Sequence, residues 1–396
     1  AITTGHSNDI MGYQAATALT TGYANVVIGK GAFAAADGGE QNNVAIGFGA
    51  GASVNHNSTT ANVWIGSWAG TGGTGYQSNN VAVGDDAMVG IGNQNAHYNT
   101  AVGRFALGGT MANDSTGNTA IGYEAMKGPI NDAQYNIAVG YQSLAALTSG
   151  DYNTVVGHQA GDSITTSGYN TLLGDGAGGA LVGGGTNVAI GYQPLYNGTA
   201  NSYVVAIGSR AGYNSTADYN VYVGNSAGRE SRAGTAQVYI GNGAGYYATG
   251  SYNTFLGYDA GKGGTTSAPF SSGTNNIAVG YQALTAFTTG GENTVVGNLA
   301  FDALTTGTRN IGIGPAAGGA ITTGDHNIVL GYAAFDAATE TGNTIAIGSL
   351  TLSAYTHIEG AYNVAIGYSV ANLKTSGRFN TYIGGINVAK ADLTGE

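Results

Sequence analysis

Residues that could carry acid–base or metal chemistry are few in this chain, and they are scattered. There is no cysteine for thiol chemistry. Asp85 and Asp86 form the only adjacent acidic pair, and nothing singles out two carboxylates as the pair of a glycoside hydrolase. No histidine has a partner at metal-ligand spacing; the six are His6, His56, His97, His158, His326 and His357. The sequence therefore predicts a protein that is not an enzyme and holds no metal or cofactor, although carboxylates from separate segments could still meet.

The charge of the chain argues against two further classes of function. The net charge is -11 and only 11 residues are Lys or Arg, so no basic patch suited to nucleic acid is evident. The sequence has no run long and apolar enough to span a membrane, so we expect no membrane insertion. Two glycine-rich stretches, 47–51 and 261–263, look like phosphate-binding loops but lack the full spacing of that motif.

Tyrosine is in excess, with 26 residues. Many tyrosines directly follow a recurring glycine, namely Tyr13, Tyr123, Tyr141, Tyr192, Tyr258, Tyr281, Tyr332 and Tyr368. One interpretation is a stacking ladder that stabilises a repetitive structure. The other is a strip of flat rings with polar tips that binds sugars. The sequence favours the ladder and leaves the sugar-binding strip open.

These residues are positioned by a five-residue phrase, Asn-x-x-x-Gly or a close variant, that recurs 22 times between Asn8 and Gly384. The steps are 16 to 19 residues, except for one of 23. A short, nearly constant period is typical of a solenoid, in which each coil stacks only on its neighbours. We therefore predict an all-β parallel β-solenoid of about 22 coils, forming a single continuous domain over 1–396. At the spacing of a sheet it would be a rod on the order of 100 Å long.

The columns of the phrase predict the two faces of a strand. The second position is β-branched in all copies but the first, the fourth is aliphatic or Met, and the third is apolar in all copies but one. The second and fourth positions share one face and the third points the other way. We expect the second and fourth positions to fill a narrow interior and the third to pack against another subunit. Accordingly, Ile190→Asp should destroy the coil, and Ala189→Asp should weaken subunit association.

The remaining columns predict scaffold rather than binding sites. The asparagine at the first position suggests a ladder of stacked amides, and the glycine at the fifth marks a bend with positive φ or close backbone approach. An alanine three residues after that glycine is read as part of a second, smaller strand. Representative structural residues are Asn43, Ile46, Gly47, Asn187, Ile190, Gly191, Asn363, Ile366 and Gly367.

The sequence Asn-Val-Ala-Ile-Gly at 43–47, 187–191 and 363–367 resembles the head repeats of trimeric autotransporter adhesins. Asn-Ile-Ala-Val-Gly-Tyr-Gln-Ala at 276–283 does so too, and Asn-Thr-Ala-Val-Gly at 99–103 is similar to repeats of many phage tail fibres. The resemblance covers nearly the whole chain and is specific for architecture. It implies a left-handed parallel β-roll, assembled as a parallel homotrimer, on the outside of a cell or virion. The longer and less even steps favour a fibre over an adhesin head.

Irregular turns are the candidates for recognition, because binding residues concentrate in loops on a rigid scaffold. The 23-residue step adds chain around Lys262–Asn275, with Pro269 and Phe270 at its middle. Ser53–Ala61 and Ala354–Ala361 are also long. The candidate receptor-binding residues are Lys262, Pro269, Phe270, His56, Tyr355 and His357, with a subunit contact as the alternative for Phe270.

Together these features predict a phage tail fibre, or a similar virion fibre, that binds a glycan or protein receptor on the host surface. The alternatives are the head of a bacterial surface adhesin, at the cell surface, and a structural extracellular filament. An ice-binding protein, suggested by recurring Thr-Thr-Gly turns, ranks last because many coils lack that sequence.

Overall fold

The computed structural model describes residues 3–92, 94–111, 113–356 and 362–385. In this part of the chain all regular structure is β, and no helix is present. The chain forms two compact units, Ala1–Ser202 and Tyr203–Glu396. Each unit contains eleven three-residue strands, one for each copy of the phrase. The predicted all-β parallel solenoid of about 22 coils is confirmed, whereas a single domain over 1–396 stays a prediction.

The three-residue strands occupy the second to fourth positions of the phrase. In chain order, all strands of the first unit are β1 (Asp9–Met11), β2 (Val26–Ile28), β3 (Val44–Ile46), β4 (Val63–Ile65), β5 (Gln77–Ser78), β6 (Val81–Val83), β7 (Ala96–His97), β8 (Thr100–Val102), β9 (Ser115–Thr116), β10 (Thr119–Ile121), β11 (Ile137–Val139), β12 (Thr154–Val156), β13 (Thr171–Leu173) and β14 (Val188–Ile190). The short strands β5, β7 and β9 lie just before the phrase and form a separate parallel sheet.

In the second unit the strands are β15 (Val205–Ile207), β16 (Val221–Val223), β17 (Val238–Ile240), β18 (Thr254–Leu256), β19 (Ile277–Val279), β20 (Thr294–Val296), β21 (Ile311–Ile313), β22 (Ile328–Leu330), β23 (Ile345–Ile347), β24 (Val364–Ile366) and β25 (Thr381–Ile383). Within each unit, successive long strands pair in parallel without a shift in register. Thus Val27 lies opposite Ala45, and Tyr239 lies opposite Phe255. Eleven strands at the usual sheet spacing give a stack of roughly 50 Å in each unit.

The third position of the phrase lines the interior of each coil, so the predicted orientation of the strands is wrong. Val27, Trp64 and Ala189 are fully buried within their own chain. The second and fourth positions are half-buried or exposed, as Ile190 illustrates. The third-position column is therefore core and does not face another subunit. The apolar column that remains uncovered is formed by the second and fourth positions.

The asparagine column explains this orientation. First and third positions share a strand face, so a buried asparagine carries the third position inward with it. The backbone N–H and the Nδ2 of Asn293 donate to Oδ1 of Asn276 at 3.1 and 3.0 Å, and Nδ2 also donates to the Gly307 carbonyl at 2.9 Å. Asn43, Asn187 and Asn363 are buried in the same column. The predicted ladder of asparagine amides is confirmed. The side-chain amides can bind the carbonyls of the turns only if they point into the coil.

The glycine at the fifth position is required both for its positive φ and for the close approach of the neighbouring backbone, the two reasons that the sequence suggested. Gly157 has a φ of 146°, outside the range that other residues adopt readily. A Cβ added there would lie 2.2 Å from the carbonyl oxygen of Gly174 in the next coil. Gly47, Gly191 and Gly367 have φ values of 141°, 133° and 134°. Close stacking of successive corners thus excludes a side chain.

The second limb of the coil is built from consecutive turns, which corrects the predicted second strand. The alanine column is buried, and the Ala50 N–H closes a turn by donating to the Gly47 carbonyl at 3.4 Å. The residues on either side of this alanine adopt positive φ, such as Phe105 at 55° and Leu107 at 50°. Alternation of this kind prevents the extended conformation of a strand.

The two limbs share the interior volume by matching large residues with small ones. The relevant partner is the ninth position, counted from the first residue of the phrase. A large third position faces glycine there, in Trp64–Gly70, Tyr222–Gly228, Tyr239–Gly245 and Phe255–Gly261. An alanine in the third position is combined with a buried leucine, in Ala138–Leu144, Ala189–Leu195 and Ala278–Leu284. A Cβ at Gly245 would come within 2.4 Å of the Tyr239 ring, so the glycine is what admits the large residue.

Candidate functional site

An extensive exposed apolar feature is the outer strand face, by which we mean the second and fourth positions of every phrase. Asp9 is the only charged residue at these positions. Ile137 is 41% exposed and Leu173 is 45% exposed. In each unit the stacked three-residue strands give a face of roughly 50 Å by 10 Å, about 500 Å², which is at the upper end of the apolar patches of most monomers. A surface of this size favours a contact with another macromolecule.

A column of aromatic rings precedes the phrase, and sequence reasoning missed it. Tyr152 stacks on Tyr135 and on Tyr169, with ring centroids 5.3 and 5.1 Å apart. Tyr203 and Tyr219 stack in the same way at 5.2 Å. The signal was a tyrosine directly before the asparagine, recurring at the period of the coil. These exposed rings border the outer strand face where the chain enters each strand.

The aromatic column that follows the phrase confirms the predicted stacking where successive coils both carry a ring. Tyr123 and Tyr141 lie 5.3 Å apart with an interplanar angle of 13°, and Tyr258 and Tyr281 lie 5.5 Å apart at 14°. His158 continues the first of these stacks at 5.3 Å. The column is interrupted elsewhere, for example by Asp175 and Asn225. Sugar binding along it stays a prediction.

A cluster of charged and aromatic side chains lies in the second unit, on the limb of the coil that is built from turns. We call that limb the turn limb. We call the cluster the arginine–aromatic patch: Arg210, Tyr213, Arg229, Glu230, Arg232, Tyr246, Tyr247 and Phe270. The Arg229 guanidinium lies between two rings, 5.8 Å from the centroid of Tyr213 and 5.4 Å from that of Tyr246. Arg232 lies 5.2 Å from the centroid of Phe270, which stacks on Tyr247 at 5.9 Å. Guanidinium groups over ring faces are held by cation–π attraction.

The carboxylate of Glu230 lies close to two arginines of this patch. Glu230 is largely buried and accepts hydrogen bonds from Arg232 at 3.3 Å and from Nδ2 of Asn214 at 2.8 Å. The Nε of Arg229 is 4.0 Å from the same carboxylate, and it is buried without a hydrogen-bond partner. One carboxylate thus faces two guanidinium groups, which leaves positive charge at the surface.

The long loop of the 23-residue step contributes to this patch. Phe270 is half-buried against Tyr247 and Arg232 of its own chain, and Pro269 is exposed. Lys262 pairs with Asp259 at 3.0 Å. The structure therefore brings Phe270 together with Tyr247 and Arg232, which the sequence analysis had not connected to it, because they lie one and two coils earlier in the chain.

The other predicted loop residues are not gathered with Phe270. His56 is half-buried beside Tyr76, with ring centroids 5.4 Å apart, in the first unit. Tyr355 is almost fully buried, and its hydroxyl donates to the Gly377 carbonyl. Tyr355 is therefore an interior residue and not a surface contact, because it fills the coil interior beside Phe335. His357 lies outside the described residues.

Titratable groups in the described ranges form no group of three or more that could hold a metal ion. Asp85 is bound by Arg104 at 3.2 Å. Burial, followed by the charge of Asp85, raises the pKa of Asp86.

The hydroxyls of Thr288, Thr305 and Thr322 donate to carbonyls of the next coil. This internal use of the threonines weakens the ice-binding alternative.

No helix with the length and apolarity needed to cross a membrane occurs in the described ranges. Comparisons of the chain with protein-family models, with curated proteins and with solved structures found no match. The function is therefore inferred from the residues and surfaces described above.

Proposed function

We propose that this chain belongs to a non-enzymatic attachment fibre, a phage tail fibre or similar virion fibre that binds a host-cell surface. In this proposal three parallel copies assemble, and each winds as a left-handed β-roll. The number of chains, the handedness and the virion location rest on the resemblance of the repeats at 43–47, 99–103 and 276–283 to known fibre and adhesin repeats. The alternatives are the head of a bacterial trimeric adhesin, whose repeats these also resemble, and a structural extracellular filament.

The observation that carries the proposal is the uncovered outer strand face. Strands apolar on both faces are normally covered on both, and the interior side is already filled by the third position. A typical stable interface buries about 800 Å² on each partner, which is more than the face of one unit offers, so a stable contact would use the outer strand faces of both units. Every coil repeats the same nearly uncharged columns, so further copies of the chain can match them along its length.

Assembly is tested by replacing two residues of the outer strand face, Ile137→Asp with Leu173→Asp. Both side chains are partly exposed, so the monomer should fold, while two charges at the interface should dissociate the oligomer. The matched control is Thr266→Asp with Ser267→Asp, on exposed loop residues. Light scattering coupled to size exclusion should give a trimer for the wild type and the control, and a monomer for the first variant. A wild-type monomer would contradict the proposal.

Location is tested by immunogold electron microscopy of the native source with an antibody to this chain. Label on the fibres of virus particles would support the attachment fibre. Label on cell envelopes would favour the adhesin head, and label on free filaments would favour a structural role.

A further inference from the structure

The arginine–aromatic patch lies on the side of the coil opposite the outer strand face. Tyr222, at the third position of its phrase, points inward and crosses the interior. Its hydroxyl donates to Oε1 of Gln237 at 2.8 Å and lies 3.0 Å from Oγ of Ser231 on the turn limb. Arg229 and Arg232 flank Ser231 on the other surface of that limb. The patch therefore stays accessible when the outer strand face is covered by other copies.

The patch also differs in charge from the rest of the chain. Residues 205–270 contain four basic residues (Arg210, Arg229, Arg232, Lys262) and three acidic ones (Asp218, Glu230, Asp259), a net charge of +1. The whole chain has a net charge of -11. Lys262 is neutralised by Asp259 at 3.0 Å, whereas the two arginines near Glu230 share a single carboxylate.

The arrangement combines two recognition elements within a few ångströms. Rings of Tyr213, Tyr246, Tyr247 and Phe270 are partly exposed and offer flat apolar surfaces, three of them with hydroxyl tips. The Arg232 side chain is 58% exposed, and a guanidinium binds carboxylate, sulfate or phosphate oxygens through paired N–H groups. Glu230 and Phe270 hold Arg232 in place, which reduces the entropy lost when a ligand binds.

We propose that the arginine–aromatic patch binds a saccharide that carries an acidic group. The sugar ring packs on the exposed faces of Tyr247 and Phe270, and the acidic group accepts hydrogen bonds from Arg232. This inference rests on the attachment function and names the chemistry of the receptor. A single-stranded nucleic acid is disfavoured, because its affinity depends on many phosphate contacts and the patch offers few cations.

The experiment measures binding of the purified full chain to heparin and hyaluronan oligosaccharides by calorimetry, with neutral dextran and polyglutamate as comparison ligands. Binding of at least one acidic saccharide, with neither dextran nor polyglutamate bound, is the expected result. Arg232→Gln should weaken that binding about tenfold, since it removes a charge-assisted contact. Phe270→Leu, which keeps the apolar bulk and removes the aromatic face, should weaken it severalfold.

Arg309→Gln is the matched control. Arg309 lies in the same unit, its side chain is 57% exposed, and it pairs with Glu292 at 2.8 Å. This variant should bind like the wild type. Equal losses in Arg309→Gln and Arg232→Gln would overturn the proposal, because only overall charge would then matter. Failure to bind any acidic saccharide, or equal binding of polyglutamate or a thymidine oligonucleotide, would overturn it as well. Unchanged thermal melting of the variants shows that they are folded.

The binding result and the location of the chain are separable. Acidic-saccharide binding with immunogold label on cell envelopes would sustain the patch and reject the virion role. Label on virion fibres without saccharide binding would reject the patch and sustain the attachment fibre.

Discussion

The inner and outer columns of the same three-residue strand are both apolar, yet they follow different rules. The inner third position ranges from Gly312 to Trp64, and its size is compensated by the ninth position of the same coil, as for Tyr239 and Gly245, or of the preceding coil, as where Phe301 lies against Gly312. The outer second and fourth positions hold almost uniformly Val, Ile, Thr and Leu. A closed interior requires only that its volume be filled locally, by side chains of the same coil or of an adjacent one. The uniform residues at the second and fourth positions produce an even outer surface. Such a surface is expected when the binding partner is built from repeats of the same period.

The largest effect should come from placing a charge in each column of one strand. Ala189→Asp puts an unpaired carboxylate into the closed interior and should cost roughly 3–5 kcal/mol or more, which unfolds the surrounding coils. Ile190→Asp, on the outer strand face, should leave the monomer folded and weaken association. Thermal melting followed by circular dichroism, together with sedimentation, distinguishes the two. A folded Ala189→Asp protein would refute the assignment of the interior.

A large third position is matched by a small ninth position, and we call this the volume rule. It is tested by exchanging a large residue and a small one across the interior. Tyr239→Ala leaves a cavity and should cost about 3–5 kcal/mol. Gly245→Leu clashes with the Tyr239 ring and should also destabilise the chain. The double variant recreates the natural combination Ala278–Leu284, so much of the loss should be recovered. Denaturant unfolding of the four proteins gives the coupling energy, and simple additivity would contradict the rule.

The asparagine ladder should contribute more than an exposed asparagine of the same coil. Asn293→Ala removes bonds to Asn276 and Gly307 and leaves the buried N–H of Asn310 without its acceptor. We expect a loss of about 3 kcal/mol in the free energy of unfolding, because unsatisfied buried groups bear the full desolvation cost. Asn298→Ala, at an exposed position, is the control and should change stability by less than about 0.5 kcal/mol.

The smallest effect concerns pH and the buried phenol of Tyr222. Burial raises the pKa of Tyr222 to about 12 from its ordinary value of 10.0. The folded state therefore holds the proton more tightly, and this stabilisation is complete below pH 10 and is lost as the pH rises to about 12. The loss should be roughly 2 kcal/mol. Tyr222→Phe should reduce the alkaline loss when urea unfolding is compared at about pH 9 and about pH 11.5. An unchanged alkaline loss would show that this phenol is not responsible.

Much of the architecture could be predicted from the period alone. The repeated Asn and Gly identified the coils, because a stacked amide and a corner without a side chain impose the same residue at every turn. The predicted second strand was wrong, since the sequence does not reveal that positions such as Phe105 and Leu107 adopt positive φ. Non-glycine residues enter that region only when the surrounding fold compensates the cost.

The candidate site was less predictable. Phe270 was chosen for its irregular loop, but Arg229, Arg232 and Tyr247 were not connected to it, because they lie 23 to 41 residues earlier in the chain. Tyr355 was chosen by the same argument and is interior. Loop length alone does not distinguish a ring that points to solvent from one that fills the coil.

The sequence by itself determined the parallel coil, its period and the asparagine and glycine columns, since these follow from identical residues stacking on themselves. Only the tertiary structure decided which apolar column is core. Two apolar faces of one strand look alike in sequence, and the choice depends on the first-position asparagine, whose amide must reach buried turn carbonyls. That same constraint left the second and fourth positions outside, where a second molecule can cover them.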